Sequence, residues 1–167
     1  MPTKVFSLKL ADVKWLWFFS FVIGLTLDIM LIISAGIHHA PSLTLLILIF
    51  WTTQIFQQTH LFSAFILGLL FDAILASPLG AHGLLFVLVT FMMLRIRQSF
   101  KAFPVWQQSL MIIIYYAIFQ GLSWLLLQPT LSASDWVFFA LEPLFAGLVW
   151  PLVSASLSRF TQKLLFH

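Results

Sequence analysis

The run WLWFFSFVIGLTLDIMLIISA, residues 15–35, decides how the chain is built. Crossing the hydrocarbon core of a bilayer as a helix takes roughly 20 mostly apolar residues, and this run supplies them. Lys4, Lys9 and Lys14 precede it and Ser34-Ala35-Gly36 close it, which is also the layout of a secretory signal with a cleavage site. A signal core is only about 7–15 residues long. This run is span-length and carries Asp28, so it reads as a retained first membrane helix.

The rest of the chain has the same character. Hydrophobic residues make up 62% of the 167 and charged residues 8%, against roughly 45–50% and 25% in an average soluble domain. A soluble fold of this size could not bury so much apolar surface. The expected architecture is all-α: a single polytopic domain over 1–167, with spans near 15–35, 41–53, 61–76, 82–94, 105–127 and 136–157. Six spans leave no room for a soluble catalytic domain.

Punctuation along the chain sets these limits. Pro41 suits the first position of a helix, where its missing N–H would have no partner anyway. A polar break follows at 54–60. Ser77-Pro78-Leu79-Gly80 supplies turn chemistry after the third span, and Pro104 opens the approach to the fifth. Pro143, Gly147 and Pro151 recur at four-residue spacing on the last span and predict a bend there. No internal repeat or linker is evident.

Six spans would put residues 1–14, 54–60, 95–104 and 158–167 on one side. Those segments hold all eight Lys and Arg. Basic residues mark the cytoplasmic side, so both termini are expected there. Nucleic-acid binding is a poor reading of a charge so placed. Trp15, Trp17, Trp51, Trp106 and Trp136 fall near span ends, as interfacial anchors should.

Polar groups inside spans are costly and are therefore the functional candidates. Asp28, Asp72 and Glu142 lie five to eight residues from the non-cytoplasmic ends of their spans, roughly 8–12 Å deep, and Gln120 falls at similar depth. No Lys or Arg lies in a span to neutralise the carboxylates. His38, His39 and His82 stand at the same face. Small residues at four-residue spacing lead to two of the acids, Ser20-Gly24-Asp28 and Ala64-Gly68-Asp72-Ala76, and such stripes let helix backbones approach closely. The four polar residues thus read as fasteners between helices or as the lining of an outward-facing pocket.

Catalytic patterns are missing. There is no His-x-x-x-His pair, phosphate loop or nucleophile elbow, and the chain contains no cysteine. No cofactor, metal site or enzyme activity is expected.

From Pro41 onward the chain resembles the MreD family of bacterial rod shape-determining membrane proteins. The resemblance rests on the Pro41-led span ending in Phe50-Trp51, Phe65-x-x-Gly68-x-x-x-Asp72, Leu79-Gly80, Trp106-Gln107-Gln108 and Trp150-Pro151, in that order and spacing. Departures are Ser42 where the family usually has Asp or Asn, Ala76 where it commonly has Gly, and Asp28 where it often has Gln. The resemblance implies a non-enzymatic component of the peptidoglycan elongation machinery in the inner membrane. MreC is its expected partner, with links to MreB, RodZ, and RodA and its transpeptidase, besides membrane lipid. It also singles out Gly68, Asp72 and Gly80, which join Pro41, Ala64 and Ala76 as candidate packing or partner positions. The outline is similar, too, to the substrate-binding subunits of energy-coupling-factor vitamin transporters, which makes small-molecule binding the alternative.

Overall fold

The computed structural model describes residues 10–35, 41–56, 59–127 and 133–165, and these form six helices with no strand among them. They are α1 (Leu10–Ala35), α2 (Leu43–Gln54), α3 (Leu61–Leu75), α4 (Ala81–Ala102), α5 (Val105–Leu127) and α6 (Ala133–Leu165). Four of them, α1, α4, α5 and α6, are long and apolar enough to cross a membrane. The other two are not. At 1.5 Å per residue α2 and α3 reach only about 18 and 22 Å, short of the roughly 30 Å core.

The reason α2 can be short is where it sits. Every residue from Thr44 to Thr53 is buried, against α1, α4 and α6. A helix apolar on all sides and wrapped by neighbours has no lipid to face, so the bilayer does not set its length. α3 packs chiefly on α4, and α5 on α6. The α3–α4 approach is close because Gly68 faces Gly83. A Cβ on Gly68 would lie 2.5 Å from the Gly83 nitrogen and 2.6 Å from the His82 carbonyl carbon.

Several expected boundaries shift. α4 continues to Ala102, so Arg95, Arg97 and Lys101 are helical rather than in a loop. α6 extends over 133–165 and passes through Pro143 and Pro151 without interruption. Trp51 is not an interfacial anchor: it is fully buried, and its indole N–H donates to Ser20 Oγ at 2.8 Å. Trp15, Trp106 and Trp136 are exposed, as anchors require. His38 and His39 lie outside the described residues.

Candidate functional site

Asp28 caps a helix that is not its own. From α1 its carboxylate accepts the backbone N–H groups of Leu43 and Thr44 at 2.8 and 3.0 Å and the Ser42 hydroxyl at 3.0 Å. The first N–H groups of a helix have no partner within it and carry the positive end of its dipole, so a carboxylate is the natural complement. Gly24, one turn earlier, faces the same helix: a Cβ there would meet the Thr44 backbone at 3.5 Å and the Ile47 Cδ1 at 2.6 Å, a side-chain end that would have to turn aside.

Asp72 repeats this arrangement in the next hairpin. From α3 it accepts the N–H groups of Gly80 and His82 at 2.7 and 3.0 Å, at the start of α4, and the Ser77 hydroxyl at 2.7 Å. His82 Nδ1 lies 2.7 Å from the same carboxylate. Asp72 is completely buried, and His82 nearly so. Thus His82 is a partner of the acid and not a solvated loop residue. The hairpins share a recipe, Gly-x-x-x-Asp on the first helix locked to a serine and the opening N–H groups of the second. The stripes leading to the two acids are the trace of that recipe in the sequence.

The remaining candidates form a third centre that joins the first. Glu142 on α6 accepts from Gln120 Nε2 at 2.6 Å and from the Tyr116 hydroxyl at 2.9 Å. That hydroxyl in turn accepts the Ser42 N–H at 2.8 Å. Asp28, Ser42, Tyr116, Glu142 and Gln120 are therefore one hydrogen-bonded chain across α1, the entry to α2, α5 and α6. Asp72 does not share it. The Phe119 ring stands between, 5.5 Å from Tyr116 and 6.5 Å from His82.

Of the packing positions, Ala64 and Gly68 are buried on α3. Pro41 precedes Ser42, the residue that caps α2, and is half-buried. Ala76 and Gly80 bracket the turn after α3, both with positive φ, 51° and 96°. Among the described residues no group of three or more His, Asp or Glu side chains could hold a metal. The residues the sequence did not single out are Tyr116 and Ser77. Tyr116 carried a usable signal: it is one of two tyrosines in a chain with 19 phenylalanines, so its hydroxyl stands out at a position where Phe would pack as well.

Trp106-Gln107-Gln108 and Trp150-Pro151, far apart in sequence, meet where the Trp150 indole donates to Gln108 Oε1 at 3.2 Å. The family model for the rod shape-determining protein MreD matches residues 11–160, nearly the whole chain. The chain belongs to the MreD family. The Rod shape-determining protein MreD of Haemophilus influenzae is 27% identical over 128 residues, covering 76% of this chain and 78% of that protein. No solved structure matches. Membership makes this a rod shape-determining, multi-pass membrane protein, and MreD is a family of shape-determining components, not a known enzyme family. Asp28 and Ser42, two of the departures from the family pattern, are the two sides of one hydrogen bond.

Proposed function

We propose that the protein is a scaffold of bacterial cell-wall elongation in the cytoplasmic membrane. It docks the single membrane helix of MreC, and through it links MreB, RodZ, and RodA and its transpeptidase. Both termini face the cytoplasm in this reading. The observation that carries it is an apolar stripe on α6 that the bundle leaves uncovered: Leu141, Leu144, Phe145, Leu148 and Leu152, each 38% exposed or more. Their spacing of three, four, seven and eleven residues is that of one helix face, the surface against which a single partner helix packs in a bilayer. The pocket-lining alternative has less support, because Asp28, Asp72, Gln120 and Glu142 are each occupied by partners within the chain.

Photocrosslinking in living rod-shaped cells tests the docking. Crosslinkers at Leu144, Leu148 and Leu152 are expected to trap MreC, whereas one at Phe91 on α4 does not. Equal yields from both helices, or capture from Phe91 alone, would overturn the assignment of the face. Gly68 is a poor probe of docking, because its substitution first disrupts the contact with Gly83.

A further inference from the structure

At the end of the bundle away from the carboxylates, the start of α1, the entry to α3 and the end of α4 come together. The Trp17 and His60 rings stack with centroids 6.3 Å apart. Arg97 is near enough for its charge to act on the His60 imidazole, and its guanidinium lies 4.7 Å from the Phe56 ring centroid, with the Lys101 ammonium 5.5 Å from the same ring. His60 is 4% exposed. Four nitrogens in this knot are buried without a hydrogen-bond partner: Trp17 Nε1, both ring nitrogens of His60, and one terminal nitrogen of Arg97. A buried donor left unpaired is costly, because it has given up its water and gained nothing in return. Trp and Arg can only donate, and a neutral imidazole brings one N–H and one acceptor nitrogen, so the knot holds more unmet donors than acceptors, and its formal charge is positive.

Trp17 also lines a groove that opens between α1 and α3. Phe18, Phe21, Val22 and Leu25 continue it on one side and Phe62, Ile66 and Leu70 on the other. Lys14 stands three and four residues before Trp17 and Phe18, on the same face of α1. The groove encloses about 490 Å³. Its lining is almost wholly apolar, the surface a hydrocarbon chain requires. A soluble anion would satisfy the donors and leave the groove empty. A bare apolar helix would do the reverse.

We propose that this site binds an anionic phospholipid, its phosphodiester accepting from Trp17, His60 and Arg97 and one acyl chain lying between α1 and α3. Native mass spectrometry of the purified full chain, titrated with dioleoyl phosphatidylglycerol or dioleoyl phosphatidylcholine, is the test. The expected result is selective retention of one phosphatidylglycerol, reduced about fivefold in Trp17→Phe and in Arg97→Gln, both of which should elute and melt as the parent does. If Trp17→Phe fails to fold, Arg97→Gln with Ile66→Trp, which fills the groove, replaces it. Arg159→Gln, on α6, should retain the lipid. Equal retention of both lipids, loss in Arg159→Gln equal to that in Arg97→Gln, or full displacement by water-soluble glycerol phosphate would overturn the proposal.

Discussion

Ala76 closes α3 in the left-handed region, with φ 51° and ψ 32°, a conformation that costs an L-residue roughly 1–2 kcal/mol and glycine almost nothing. After glycine's greater chain entropy is subtracted, Ala76→Gly is expected to stabilise the protein by about 0.5–1 kcal/mol, read as a higher melting temperature in detergent. Glycine would thus suit this position on physical grounds, although nothing in the residues around Ala76 announces a positive φ. His60, between the second and third helices, gives a pH dependence. Burial first, and the nearby Arg97 charge second, lower its pKa from 6.5 to about 4. The folded protein therefore refuses a proton that the unfolded chain accepts between those values. Stability is unaffected above pH 6.5, declines as pH falls through the window, and levels off below about 4. Melting curves in a zwitterionic detergent should show this slope, and His60→Phe should flatten it.

Among elements, the α3–α4 pair depends on one glycine contact. Gly68→Leu would drive a side chain into the Gly83 backbone, where no flexible group can yield, so a loss of several kcal/mol is expected, on the order of an overpacked core or more. Resistance to unfolding in sodium dodecyl sulfate, followed by circular dichroism, would report it, and wild-type resistance would contradict the packing described. The Gly-x-x-x-Asp stripes are legible from residue spacing alone, because small residues four apart have few other uses in a membrane helix. Their common role is less so. Residue identity shows that an acid lies on a contact, but not which backbone N–H groups it meets, and those belong to the next helix. Helix lengths are the least legible, since hydropathy falls at Arg95 while α4 continues to Ala102, and helical hydrogen bonding is indifferent to that change.

In the whole molecule, Tyr116 ties the first hairpin to the last one. Its hydroxyl accepts from Ser42 and donates to Glu142, so Tyr116→Phe removes two bonds while keeping the ring. Hydrogen bonds between membrane helices average about 0.6 kcal/mol and reach about 1.7, so a loss of about 1–3 kcal/mol is expected, with α5 and α6 becoming easier to proteolyse. An unchanged digestion pattern would argue against that tie. The all-helical membrane architecture is readable from hydropathy, because that follows from the solvent each residue meets. The cross-bundle chain is not, because Ser42, Tyr116 and Glu142 lie 74 and 26 residues apart. The cap that each of the first two hairpins borrows from its own first helix bears on how the protein is made. A lone α1 or α3 leaving the ribosome would bring a bare carboxylate into oil, and the groups that quiet it arrive only with the following helix. Insertion into the bilayer should then proceed in pairs of helices, each pair closing its own circuit before it meets lipid.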